Sequence, residues 1–265
     1  MLNVLPIQAR PTPDRWLFVL HGIYGRGRNW AAVAKRVTER RPTWGWLLVD
    51  LRLHGASHGF RPPHTIDACA RDVLRLESTG AYRASAILGH SFGGKVACDI
   101  DRLRDEPLTQ LWVMDSSPDA RVPSGDAWRL LHDIRRMPTT FPSREAFVAL
   151  AHAAGVQPAI GAWMATNLEP GAEGYRWRID LDGMASLLDD FFARDTWSAI
   201  ETPRAEQVHV VKAQGSDALT ETACQRILDA GATRGQVFLH RVEGGHWMNA
   251  DNPDAVVDLL VRYLP

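Results

Sequence analysis

The chain has 265 residues, 45% of them hydrophobic and 23% charged, with a formal net charge of -1. That length can bury one large core, and the balance excludes a disordered chain. With arginines scattered rather than striped, it also excludes an electrostatic footprint for nucleic acid or an anionic membrane. No run reaches the roughly 18 apolar residues of a membrane span, and Met1–Arg10 lacks a basic stretch followed by a long apolar one. A cytoplasmic protein with no membrane span and no nucleic-acid partner is expected; the composition is silent on oligomeric state.

In chain order, apolar runs alternate with amphipathic stretches, the pattern of a mostly parallel sheet with helices on both faces. A strand is predicted over Leu2–Ile7 and another over Trp16–Leu20, followed by His21-Gly22-Ile23-Tyr24-Gly25. A helix over Trp30–Arg40 leads to a strand over Trp46–Val49. The next segment, Asp50-Leu51-Arg52-Leu53-His54-Gly55-Ala56-Ser57, is assigned a structural role with Asp50 and Arg52 as an ion pair. His54, His58 and His64 are placed in a loop near the cleft mouth. A helix over Ile66–Ser78 precedes the strand Ala84–Leu88, and Gly89-His90-Ser91-Phe92-Gly93 then opens a helix over Gly94–Leu103. The strand Leu111–Met114 ends in Asp115.

The alternation breaks between about Ser116 and Thr202. That stretch carries helical fragments at Trp128–Met137, Arg144–Ala154, Pro158–Thr166 and Met184–Ala193, and it is too long for a bare loop. It is read as a helical cap over the sheet's C-terminal edge, where open α/β sheets bind ligands. Trp128, Trp163, Trp177 and Trp197 either line an acyl pocket or pack the cap's own core. Beyond it come the strands Val208–Val211 and Val237–His240 and the helices Thr220–Ala230 and Asp254–Tyr263. The last helix is announced by Asn252-Pro253-Asp254. The domains are therefore expected at 1–116 plus 203–265 for the core and 117–202 for the cap, inserted after the sixth strand. Cys69, Cys98 and Cys224 are odd in number and widely spaced, which argues for small buried hydrophobes and against a disulfide framework or a metal site.

The most informative feature is the G-x-S-x-G elbow centred on Ser91, set between a buried strand and a helix as that motif requires. A serine hydroxyl is a poor nucleophile until a base takes its proton, and the base must be oriented by a carboxylate. His246, in Glu243-Gly244-Gly245-His246-Trp247 after the last strand, is the expected base. Asp115 and Asp217 are both placed to orient it, and periodicity does not choose between them. Backbone amides of Ile23 and Phe92 are the expected oxyanion hole. His21, Gly22, Tyr24, His90 and Trp247 surround these positions and are candidate substrate contacts.

These residues resemble the α/β-hydrolase superfamily over nearly the whole chain apart from the cap. His-Gly-Ile-Tyr-Gly, Gly-His-Ser-Phe-Gly-Gly, Val-Met-Asp-Ser-Ser-Pro and Gly-Gly-His-Trp are similar to the small acyl esterases of the YbfF type and their organellar relatives. In that group the acid lies in a V-x-D-x-x-P segment, so the resemblance favours Asp115, matched by Val113-Met114-Asp115-Ser116-Ser117-Pro118. The group's later loop generally carries a non-acidic residue where this chain has Asp217. The resemblance implies a serine esterase or thioesterase on small to medium acyl groups, with a small-molecule partner and no cofactor or metal. Dehalogenase and epoxide hydrolase chemistry is disfavoured, because those enzymes use an aspartate where Ser91 stands. The same triad also serves a cofactor-free perhydrolase or haloperoxidase, a C–C or amide hydrolase, or a slow-turnover ligand receptor.

Overall fold

A computed structural model describes residues 1–265. Its first strand, β1 (Val4–Ile7), is followed by β2 (Arg15–Leu20), α1 (Ala31–Arg40), β3 (Trp44–Val49), α2 (Ile66–Ser78), β4 (Ala84–His90), α3 (Phe92–Leu103) and β5 (Gln110–Met114). An insertion carries α4 (Asp126–Ile134), β6 (Thr140–Phe141), α5 (Arg144–Ala153), α6 (Pro158–Ala165), β7 (Leu168–Gly171), β8 (Gly174–Trp177), α7 (Leu181–Ala193) and α8 (Ser198–Glu201). The chain closes with β9 (Gln207–Ala213), α9 (Glu221–Arg234), β10 (Val237–Val242), α10 (Met248–Asp251) and α11 (Pro253–Tyr263).

Seven strands form one sheet in the order β1-β3-β2-β4-β5-β9-β10. Only β1 runs antiparallel to its neighbour; the other pairings are parallel. Two-residue periodicity explains the double burial. Phe18, Leu47, Ile87, Leu111 and Val208 feed the hydrophobic layer beneath α2, α3 and α9. Their neighbours Leu17, Trp46, Leu88, Trp112 and Val211 feed the layer beneath α1 and α11. A sheet covered on both faces needs continuous apolar strands, and that is how these segments read.

The insertion follows the fifth strand in chain order rather than the sixth. Fourteen residues precede β2, and Pro11 and Pro13 in that stretch have no N–H for a ladder, so the N-terminal edge supplies a single strand. The insertion is also not wholly helical. β6, β8 and β7 form a three-stranded antiparallel sheet, with Phe141, Phe147 and Trp177 meeting edge to face beneath it. At its far end α8 packs against α3 and α9, so that last turn belongs to the core layer. All three cysteines are free and buried.

Candidate active site

Ser91 sits between β4 and α3 with φ of 52°, in the left-handed region that a side chain rarely adopts. Two neighbours make this turn possible. A Cβ on Gly89 would strike the Gly93 carbonyl, and one on Gly93 would strike the Leu20 carbonyl. Without those methyls, helix α3 starts directly against the sheet. The turn is pinned by the Ser91 amide donating to the Met114 carbonyl at 2.9 Å and by the Gly94 amide donating to the Ser91 carbonyl at 2.8 Å.

The neighbouring strand end supplies the acid. Asp115 follows β5, also at positive φ (46°), and is fully buried. Its amide donates to the Val211 carbonyl at 2.7 Å, and its Oδ1 accepts the Ala213 amide at 3.1 Å. That leaves Oδ2 for the His246 Nδ1–H at 2.6 Å. Across the ring, His246 Nε2 lies 2.9 Å from Ser91 Oγ. Because Nδ1 carries the proton, Nε2 presents a lone pair to the serine hydroxyl. Burial pushes the Asp115 carboxyl upward. Hydrogen bonds from His246 and Ser216, the charge of His246 and the Ala213 amide outweigh it, so the group stays below the usual carboxylate range. Asp217 is exposed, and none of its atoms bonds to His246. The structure therefore brings together Ser91, His246 and Asp115, and leaves Asp217 outside.

The other histidines near the site form its frame. His90 Nε2 donates to the His246 carbonyl at 2.7 Å and pins the loop that carries His246. Burial, with the repulsion of His246 added, lowers His90 to about 3, so it stays neutral. His21 donates from Nδ1 to the Gly22 carbonyl at 2.7 Å and accepts the Leu51 amide on Nε2 at 3.1 Å. His54 bonds the Arg52 carbonyl at 2.9 Å and accepts the Tyr24 amide at 3.1 Å. With both nitrogens occupied and their rings buried, His21 and His54 have no atom left for a substrate, and His54 is not at a cleft mouth. Tyr24 is likewise buried and donates its hydroxyl to the Ala127 carbonyl at 2.9 Å, so it ties the loop after β2 to α4 rather than facing a ligand. Gly22 and Trp247 remain partly exposed, and Gly22 lies against Ser91 and His90.

The amides of Ile23 and Phe92 have no acceptor within the protein. Phe92 opens α3 directly after Ser91, and Ile23 follows Gly22, where a Cβ would lie 3.4 Å from Ser91 Cβ. Trp163 of α6 meets Trp247 edge to face at 4.2 Å and Tyr24 at 6.4 Å, so the insertion touches the loop bearing His246. The other insertion tryptophans pack elsewhere: Trp128 on His132, Trp177 in the aromatic cluster, and Trp197 under Arg226 with its Nε1–H on Asp119. Asp50 and Arg52 do not pair. Asp50 accepts the Gly27 and Ala56 amides and Asn3 Nδ2, while Arg52 turns to the buried Asp72 of α2 at 2.7 Å. No group of three or more His, Cys, Asp or Glu side chains is arranged to hold a metal ion.

Sequence reasoning missed the contacts that hold the loop after β2. Asn167 Nδ2 donates to the Tyr24 carbonyl at 3.1 Å from the far end of α6. Nothing local to Asn167 signals this, since its partner lies 143 residues away along the chain.

Comparison with known proteins gives the family. The alpha/beta hydrolase family matches residues 17–259. The sn-1-specific diacylglycerol lipase ABHD11 of Mus musculus is 24% identical over 255 residues, spanning 92% of this chain and 79% of that one. Matches to its zebrafish and frog counterparts span little more than half of those chains. Esterase YbfF of Escherichia coli is 22% identical over 262 residues, spanning 94% of this chain and 92% of that one. Among solved structures, a marine microorganism esterase superposes with a TM-score of 0.85 at 20% identity, covering 99% of this chain and 98% of that chain, a likeness of fold. The match over nearly the whole length, on a sheet that carries Ser91 at its elbow, establishes that the chain belongs to the alpha/beta hydrolase family.

Proposed function

We propose that the protein is a serine hydrolase that cleaves carboxylic esters or thioesters of small to medium acyl groups through a covalent acyl-Ser91 intermediate. The observation that carries this reading is the continuous relay from Asp115 Oδ2 through His246 to Ser91 Oγ, at 2.6 and 2.9 Å. Relatives named as esterase and lipase support the ester class.

In this mechanism Ser91 Oγ attacks the substrate carbonyl carbon as its proton passes to His246 Nε2. The carbonyl electron pair moves onto oxygen, where the Ile23 and Phe92 amides receive it. As the tetrahedral species collapses, the imidazolium gives its proton to the departing oxygen or sulfur. Water then loses a proton to Nε2 and attacks the acyl-enzyme, and Ser91 recovers its proton as the acid leaves. Throughout, Asp115 keeps the tautomer fixed and offsets the imidazolium charge.

Hydrolysis of p-nitrophenyl esters from acetate to long acyl chains tests the proposal. Wild type is expected to turn over with a chain-length preference, and Ser91→Ala to lose roughly a millionfold in kcat without loss of fold. Serine-independent turnover would remove Ser91 from the mechanism.

A further inference from the structure

A cleft of about 700 Å³ lies between α5 and α6, away from Ser91. On the α6 side it is lined by Pro158, Ala162 and Ala165, which share one stripe of the helix. Trp163 leaves from another face toward Trp247, so α6 separates the cleft from the triad. Across from it stand Val148 and Ala149 of α5. These five positions are apolar, while Glu145 and His152 of α5 also line the cleft and one end of it is basic.

Three guanidinium groups gather there: Arg26, Arg144 and Arg178. Arg26 and Arg178 both donate to the Thr166 carbonyl, at 3.1 and 3.2 Å, so their Nη2 atoms are no farther apart than the sum of those two bonds. Arg144 donates to the Leu168 carbonyl at 2.9 Å and stands over the Tyr175 ring. Each guanidinium has five N–H donors, and the protein engages one N–H on each, with Arg178 also reaching Asn167 Oδ1 at 3.5 Å. None of the three forms an ion pair, whereas Arg129, Arg135 and Arg176 of the insertion each hold a carboxylate. Burial, then the repulsion of Arg178, Arg28 and Arg144, holds Arg26 below its ordinary value despite attraction to Asp50. The one acid on the wall, Glu145, is turned toward its own amide and Ser143, which keep it ionised.

We propose that this cleft binds an amphiphilic oxyanion, a carboxylate or phosphate on an apolar chain. The anion would sit among Arg26, Arg144 and Arg178, with its chain along Val148, Ala162 and Ala165. A volume of this size is typical of small-molecule sites. Planar, bidentate donors suit oxyanions, and none of the three guanidinium groups is in direct contact with a carboxylate. The ligand is a molecule separate from the scissile acyl group, because α6 stands between. A carboxylic acid of the kind released by ester hydrolysis has the required chemistry, as does an alkyl phosphate.

Calorimetric titration of octanoate, octyl phosphate and inorganic phosphate into Ser91→Ala tests this without relying on turnover. Octanoate or octyl phosphate is expected to bind, and inorganic phosphate more weakly for want of the chain. The better of the two amphiphiles identifies the headgroup. Arg144→Gln, an exposed position, is expected to weaken binding about tenfold. Glu145→Gln, also exposed, is expected to tighten it about threefold, a gain that damage to the fold would not produce. Absence of binding by both amphiphiles, or affinities that neither variant shifts, would overturn the proposal. Inorganic phosphate binding as tightly as octyl phosphate would overturn the amphiphilic part. Failure of the esterase reading would appear instead as loss of serine-dependent turnover, with these titrations unaffected.

Discussion

Asp115 divides its work between two oxygens. Oδ1 is held by the Ala213 amide at the end of β9, which fixes the carboxylate plane, and Oδ2 faces the imidazole. Replacing it by asparagine keeps the shape but offers an amide N–H where an acceptor is needed, which favours the wrong tautomer of His246. Asp115→Asn is therefore expected to lower kcat by about 10⁴-fold, while Asp217→Asn stays near wild type. Steady-state kinetics on one ester compares them, and equal losses would refute the assignment. His90 makes a different point about residue chemistry. It neighbours the nucleophile, yet its value of about 3 and its bond to the His246 carbonyl make it a brace for the loop.

At the scale of elements, β9, β10 and α11 enclose a polar cluster on the sheet edge remote from Ser91. His209 Nδ1 lies 3.0 Å from His240 Nε2, and His209 stacks on Trp112 at 4.1 Å. Burial first, then repulsion from His240 for His209 and from Arg262 for His240, lowers them to about 3 and about 4. Between those values and the unfolded histidine value near 6.5, the unfolded chain binds protons that the folded chain refuses. Stability should hold above pH 6.5, fall as the pH drops toward 4, and stop falling from this source below about 3. Urea midpoints measured across that range should show a shallower decline in His209→Gln. An unchanged slope would mean that other groups govern it.

The same scale shows what was readable in the residues. The strands were legible because burial on both faces demands long apolar runs. The elbow was legible because its backbone tolerates only glycine at Gly89 and Gly93. β6, β7 and β8 were not, since two to four residues give too little period, and Leu168-Glu169-Pro170-Gly171 reads as a turn. The choice of Asp115 over Asp217 came from resemblance, and the geometry that separates them is the reach of a carboxylate across β9. The Asp50–Arg52 pairing failed because spacing says nothing of which layer a loop side chain enters; Arg52 found Asp72 on α2.

For the whole molecule, the telling residue is Lys95 on α3. Its buried ammonium donates to the Asp119, Phe191 and Arg194 carbonyls at 2.7, 2.8 and 2.6 Å. Burial and the nearby Arg121 lower it to about 8, so it remains mostly charged at neutral pH. Lys95→Met strands those carbonyls and is expected to cost on the order of 3 kcal/mol in urea unfolding. Limited proteolysis should cut the variant first within residues 117–195, and a cleavage pattern like that of wild type would refute the role.

Asp119 lies near the start of the insertion and Arg194 near its end, and both carbonyls rest on one nitrogen. The polypeptide thus leaves and re-enters the sheet through a single doorway. An excursion of that kind can grow, shrink or be exchanged without shifting any strand's register. Under the proposed reading, substrate choice and chemistry can therefore descend by separate routes, one written between residues 117 and 195 and the other at three strand ends.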